Sequence, residues 1–252
     1  MPRFFKEDIT GCSIGDKIYI NGEDARHISL SLRMKTGEKL IISDFHGTDF
    51  DCVISSFGTD AVELDIIGKC KCESEPDIKV HIFQSIPKGD KLDTVIQKCT
   101  ELGAFDFTPV LSSRCISRPD EKTAKKKCER WQKIAAEAAK QSGRGIVPKV
   151  NSVIDFNTAI VQMSGCSLAL LCYECEDSYS IKKCITDNLQ KLSGGADVAI
   201  FIGPEGGISP EEAKKATEYG IISVGLGKRI LRTETAPLFA LSALMLLSNN
   251  AE

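Results

Sequence analysis

Two stretches near the C-terminus share one plan, and that plan restricts the fold more than any other feature of the chain. Asp197-Val-Ala-Ile-Phe-Ile-Gly-Pro-Glu-Gly-Gly-Ile-Ser-Pro-Glu-Glu212 is an apolar run that ends in glycines and then opens a helix. In that helix start Ser209 reads as N-cap, Pro210 as N1 and Glu212 as N3, a capping box. Val224-Gly-Leu-Gly-Lys-Arg-Ile-Leu-Arg-Thr-Glu-Thr-Ala-Pro237 repeats the plan, with a helix opening at Pro237. Two strand-to-loop-to-helix turns so close in sequence imply an α/β sheet whose strand ends carry one ligand site built from two loops.

The preceding residues agree. From Lys79 onward apolar runs of strand length (Lys79–Ile86, Phe105–Leu111, Ser167–Tyr173) alternate with helical spacing (Lys91–Leu102, Asp120–Gln141, Asp155–Met163, Ser178–Leu192). This pattern predicts a mostly parallel sheet. Residues 1–70 read differently. Lys17–Asn21, Lys39–Phe45, Asp49–Phe57 and Ala61–Ile67 are short β-branched and aromatic runs separated by turn signals such as Asn21-Gly22 and His46-Gly47, which suggests a small barrel. Glu23–Lys35 between the first two strands is expected to form a short helix and an arm. Polar Gly68–Asp77 reads as the linker, so the expected division is 1–72 and 73–252.

Composition mainly excludes. No apolar run reaches the ~18 residues of a membrane span, and Met1-Pro-Arg-Phe-Phe-Lys has no apolar signal region. A soluble cytoplasmic protein is expected. The 11 cysteines include only two close pairs, Cys70/Cys72 and Cys172/Cys175, and the three histidines lack ligand spacing. Reduced, buried thiols are therefore expected, and no metal. The net charge of -3 argues against indiscriminate nucleic-acid binding. From Arg114 to Lys149, however, eleven basic residues face only Asp120, Glu121, Glu129 and Glu137, which suits a polyanion contact.

The loops exclude two ligand classes. There is no Gly-x-x-x-x-Gly-Lys-[Ser/Thr] phosphate loop. Gly225-Leu-Gly227 lacks the third glycine of a dinucleotide fingerprint, because Ile230 stands there. Glu211 and Glu212 are explained by the helix start; Glu205, among the glycines, is not. Thr233 or Thr235 could cap the last helix, with Glu234 near its dipole. Arg232, between an apolar pair and that cap, is the side chain best suited to electrostatic chemistry.

At these residues the sequence resembles a known family. Ile202-Gly-Pro-Glu-Gly-Gly207 with Leu226-Gly-Lys-Arg-Ile-Leu-Arg-Thr-Glu-Thr-Ala236 is similar to the RsmE-type ribosomal RNA methyltransferases of the SPOUT superfamily. Met1-Pro-Arg-Phe-Phe, His27 with Leu32-Arg33 and Gly37, Lys91–Gly103, Ser113–Arg118, and Arg130-Trp131 with Glu137–Arg144 extend the likeness over nearly the whole chain. One departure is visible: Arg26-His27 stand where the family often has two adjacent histidines.

The resemblance implies an α/β fold with two parts. One is a small N-terminal PUA-like β-barrel that binds RNA. The other is a C-terminal, mostly parallel sheet tied in a trefoil knot, an exception to the rule against threaded chains. It further implies S-adenosylmethionine as cofactor, methylation of a uracil N3 in 16S rRNA of the small ribosomal subunit, and a homodimer. The cofactor would lie against Leu171, Tyr173, Gly203, Pro204, Gly207, Leu226, Gly227, Ile230, Leu231, Thr235 and Ala236, with Leu226, Ile230 and Leu231 enclosing the adenine. Arg232 would stabilise a uracil anion, while Glu205 or Glu234 could accept its proton. Arg3, Arg26, Arg33, Arg114, Arg118 and Arg144 are the candidate RNA contacts. The alternatives are a methyltransferase acting on another RNA such as tRNA, and a non-catalytic RNA-binding module.

Overall fold

The computed structural model describes residues 1–250. The chain divides into two compact units, Met1–Glu75 with Ala139–Val147, and Pro76–Ala138 with Pro148 onward.

The first unit is a five-stranded sheet of β1 (Arg3–Phe5), β2 (Lys17–Asn21), β3 (Lys39–Ser43), β4 (Thr48–Phe57) and β5 (Ala61–Lys71), in the order β1-β3-β4-β5-β2. Alternation does the work here: in β2 the pattern runs exposed, buried, exposed, buried, exposed, so Ile18 and Ile20 enter the core. Two register irregularities in the β4–β5 pair bend the sheet around Leu40, Ile42, Phe50, Ile54 and Leu64. Helix α1 (Gly22–Arg26) continues as a wide turn at His27–Ser31 and seats Ala25 and Ile28 in the same core. The expected linker is shorter than its composition suggests. Gly68–Lys71 continues β5, because Thr48–Asp51 offers it a paired edge.

The second unit is a seven-stranded sheet in which every pairing is parallel. In chain order its elements are β6 (Lys79–Ser85), α2 (Lys91–Glu101), β7 (Asp106–Leu111), α3 (Glu121–Ser142, whose last turn is counted with the first unit), β8 (Lys149–Val150), β9 (Ile154–Asp155), α4 (Phe156–Met163), β10 (Leu168–Cys172), α5 (Ile181–Asp187), β11 (Asp197–Ile202), α6 (Pro210–Glu218), β12 (Ile222–Val224) and α7 (Ala236–Leu247). The order is β12-β10-β11-β6-β7-β8, with β9 also on β7. Strands covered on both faces read as continuous apolar runs, and all of β10 is buried. One layer packs β6, β10 and β11 against α2, α5 and α7; the other sets Leu171, Phe201 and Ile208 against α4 and α6. Each fully buried side chain of this size contributes about 1.5–3 kcal/mol.

Trp131, Ala135 and Ala138 form the inner face of α3, as helical spacing implies. The last helix differs from an ordinary amphipathic one. Leu241 and Leu244 are buried while Phe239 and Leu246 stay exposed on the other side. Among the described residues no helix is long and apolar enough to cross a membrane, and no cluster of His, Cys, Asp and Glu has the arrangement of a metal site. Burial pushes the Cys172 thiol up to about 12, so it is an inert core group.

Candidate active site

Three loops meet where β10, β11 and β12 end, and a fourth follows β6. The sheet brings them together. Cys172 pairs with Ile202 and with Val224, and Gln84 pairs with Ile202, so the chain leaves all four strands at one level.

The loop after β11 is packed closed. Pro204 and Gly207 close a turn, the Gly207 N–H donating to the Pro204 carbonyl at 2.9 Å. Gly207 has φ +69°, and a Cβ there would collide with the carboxylate of Glu174. That carboxylate accepts the Ile208 N–H at 3.1 Å, which locks the loop after β10 onto the glycine turn. At Gly203 a Cβ would sit 2.9 Å from Ile208. Glu205, unexplained by helix capping, accepts the Lys88 N–H at 3.0 Å and pairs with Lys91 Nζ at 2.6 Å. Burial would raise its pKa, but the Lys91 hydrogen bond and the backbone donors outweigh it and hold the carboxyl below its ordinary range. Glu205 is therefore a brace between two loops. Glu212 caps α6 with Ser209 as the sequence implies, and also receives Ser113 N–H at 2.7 Å and Ser113 Oγ at 2.8 Å.

The loop after β12 is closed at one end and open at the other. Gly225 donates to the Tyr179 carbonyl and accepts from Ile181 N–H, both at 3.0 Å. A Cβ there would collide with the Glu176 carbonyl. Two residues on, Gly227 has φ +109°, and beyond its chain neighbours no described residue comes within 4 Å of a Cβ position. Leu226 and Leu231 pack partly into the core, whereas Ile230 is 89% exposed and does not join them as an apolar wall.

At the end of this loop the Arg232 side chain is 84% exposed, with one guanidinium nitrogen 4.0 Å from Glu234 Oε1. Glu234 Oε2 is buried and has no hydrogen-bond partner among the described residues. The start of α7 is not held as expected. Neither Thr233 nor Thr235 caps it by side chain; instead the Arg232 carbonyl accepts the N–H groups of Thr235 and Ala236, both at 2.9 Å. Thr233 turns inward, where Oγ1 donates to the Gly203 carbonyl at 2.7 Å.

The remaining expected residues separate into groups. Leu171 is wholly buried with Phe201 and Ile208. Tyr173 borders a cavity of about 610 Å³ beside α6 and β12, with Tyr179, Thr217 and Ile222. Of the candidate RNA contacts, Arg3 and Arg144 are internal clamps of the first unit. Arg3 holds Asp49 through two nitrogens, one at 2.8 Å. Arg144, with 3% of its side chain exposed, grips Glu75 at 2.6 Å. Glu75 also receives the N–H groups of Gly145 and Ile146. Arg114 donates to the Gly206 carbonyl and Arg118 to those of Ser112 and Ser113. Arg26, 3.7 Å from Asp60, and Arg33, at φ +52°, remain on the surface. Lys122, Lys125, Lys126 and Lys133 line the exposed side of α3.

Sequence reasoning did not find Gln84, Lys91 or the anchoring roles of Glu174 and Thr233. Only Gln84 carried a signal, a neutral amide at the end of an apolar strand.

Residues 73–245 match the RNA methyltransferase domain family, and residues 20–67 the RNA methyltransferase PUA domain family. The chain is 40% identical over 225 residues to the Ribosomal RNA small subunit methyltransferase E of Bacillus subtilis (strain 168), covering 89% of this chain and 88% of that protein. It is 34% identical to the protein of the same description from Mesomycoplasma hyopneumoniae (strain 232), over 71% of this chain and 75% of that one. The crystal structure of a Ribosomal RNA small subunit methyltransferase E from Neisseria gonorrhoeae, bound to S-adenosyl methionine, superposes with a TM-score of 0.81 at 31% identity and covers 98% of both chains. Fold and sequence agree, and the chain belongs to the PUA-containing RNA methyltransferase family.

Proposed function

We propose that this chain transfers the methyl group of S-adenosylmethionine to N3 of a uracil in 16S ribosomal RNA of the small subunit. The observation that carries the reading is the pairing of a closed loop with an open one that ends in an exposed Arg232. Relatives described as small-subunit RNA methyltransferases and a structural neighbour holding the cofactor support it.

The residues fit that cofactor. The free space at Gly227 lets a flat ring lie against backbone, between half-buried Leu226 and Leu231. Gly203, Pro204 and Gly207 would form the opposite wall, and Ile230, Thr235 and Ala236 the rim. When bound, S-adenosylmethionine supplies a methyl group already activated on a sulfonium. The protein's task is then to hold the acceptor and manage its proton. Arg232 donates hydrogen bonds to the uracil carbonyl oxygens, where charge accumulates as N3 loses its proton. Glu234 is the carboxylate not already committed to a lysine, so it is the better placed of the two to accept that proton or to orient Arg232.

Arg26 and Arg33 on the first unit, and the exposed lysines of α3 on the second, would contact phosphates and make binding salt-dependent. The apolar outer side of α7, with Phe239 and Leu246, supports a homodimer. A protein acting on ribosomal RNA in this way works in the cytoplasm. As a test, the chain is incubated with labelled S-adenosylmethionine and small subunits, free 16S rRNA or tRNA, and the modified base is mapped. N3-methyluridine in small-subunit RNA is expected. Product only on tRNA, or cofactor binding without transfer, would replace this reading by one of its alternatives.

A further inference from the structure

Gln84 is a polar side chain in a place where an apolar one would pack. It lies at the end of β6, is 1% exposed, and follows Ile82 and Phe83, both buried. Its amide nitrogen lies 3.0 Å from Thr233 Oγ1, 3.4 Å from the Gly203 carbonyl and 3.1 Å from the Ser85 carbonyl. Thr233 in turn donates to the Gly203 carbonyl at 2.7 Å. One amide therefore joins strand β6 to the loops after β11 and β12, whose contact residues stand 119 and 149 positions away in sequence.

The consequence falls on Arg232. Its carbonyl is fixed on one side by the first turn of α7, through Thr235 and Ala236. On the other side Thr233, the next residue, is fixed by Gln84 and Gly203. The guanidinium is largely exposed, while the backbone that carries it is held. A long side chain reaches its target with an accuracy set by its Cα, and a displacement of about 1 Å at a reacting centre can cost ~100-fold in rate. A buried amide is unfavourable unless its bonds are used, and Gln84 Oε1 has no partner among the described residues. The side chain is thus a poor choice for stability alone, and its nitrogen contacts are what it provides.

We propose that Gln84 is a positioning residue for methyl transfer, acting with Thr233 as a latch that fixes the backbone of Arg232. The kinetic half of this proposal rests on the methyl-transfer reading; the structural half does not. Gln84→Met keeps length and volume without hydrogen bonds, Thr233→Val removes the hydroxyl, and Thr233→Ser restores it.

Hydrogen exchange of the segment 226–236 is measured first, with a thermal melt of each variant. The latch predicts faster exchange there in Gln84→Met and Thr233→Val, with β10 and β11 protected as before. Unchanged exchange, or loss of protection throughout the sheet, overturns it. Methyl transfer is then measured alone and in the Arg232→Ala background. The expected result is a kcat lowered by about 10-fold to 100-fold with cofactor Kd kept, recovery in Thr233→Ser, and no further loss once Arg232 is absent. An equal loss in both backgrounds, or full activity of Gln84→Met, overturns the positioning role. If the unmodified chain transfers no methyl group while exchange still rises in Gln84→Met, the latch stands and the functional reading falls.

Discussion

The loops after β11 and β12 look alike in sequence, each an apolar strand followed by glycines and a helix start, yet they are built for opposite purposes. In the first, the space beside Gly203 and Gly207 is filled by Ile208 and Glu174, and Glu205 is tied to Lys91. It is a wall. In the second, Gly225 is equally crowded, but from Gly227 onward the chain is open and ends in Ile230 and Arg232 standing in solvent. Glycine therefore has two meanings here. Where another chain segment occupies the Cβ position it permits packing, and where the position is open, as at Gly227, it serves the positive φ.

The largest effect that would break this comparison is at Arg232. Arg232→Ala should lower kcat by roughly 10²–10³-fold, the usual consequence of removing one donor to a developing anion, while cofactor binding by calorimetry is retained. Full activity would remove the open loop's chemical role. Next comes a pair of glycine variants. Gly225→Ala drives a methyl group into the Glu176 carbonyl and should cost ~2–4 kcal/mol in urea denaturation. Gly227→Ala meets only backbone strain at φ +109°, about 1–2 kcal/mol, but it should weaken cofactor binding more than Gly225→Ala does in the folded fraction. Equal effects on both readouts would erase the distinction between crowded and open glycines.

A smaller effect is expected from Glu205→Gln. The pair with Lys91 is partly exposed, so solvent screening limits its contribution to less than about 1 kcal/mol. If Glu205 is a brace rather than a base, kcat falls far less than in Arg232→Ala, and the pH profile keeps its shape.

The smallest effect lies at the other end of the sheet, away from the loops. His81 in β6 bridges Asp106 at 3.0 Å and Asp197 at 3.1 Å, the first residues of β7 and β11. Burial lowers its pKa, but the hydrogen bonds and charges of the two aspartates raise it further, leaving it above the ordinary 6.5. A raised histidine pKa contributes stability that is fully present below about pH 6.5 and is lost as pH rises through the folded value. The denaturation midpoint should fall between pH 6 and pH 8, and His81→Gln should flatten that difference. An unaltered slope would show that the strand starts, unlike the strand ends, carry no titrating group of consequence.

Much of this was legible along the chain. The strands Lys17–Asn21 and Asp197–Ile202 and the capping box of α6 follow from alternation, apolar runs and local spacing, because such elements depend on neighbours a few residues apart. Arginine was harder to place. Arg3 and Arg144 look like phosphate ligands in sequence, but their partners Asp49 and Glu75 lie far away in the chain, and their guanidinium groups are enclosed. The extension of β5 through Lys71 escaped notice because a polar strand edge needs its paired strand to be recognised.

The α/β architecture, the glycine loops, the family and Arg232 as the side chain without an ordinary structural duty can all be read along the chain. Which glycines are crowded and which are open, the brace between Glu205 and Lys91, and the contacts of Gln84 and Thr233 with the two loops emerge only in the folded chain. The Glu205–Lys91 and Gln84–Thr233 contacts join residues 114 and 149 positions apart, and the crowding of Gly207 by Glu174 and of Gly225 by Glu176 also comes from other segments, so no local pattern encodes them.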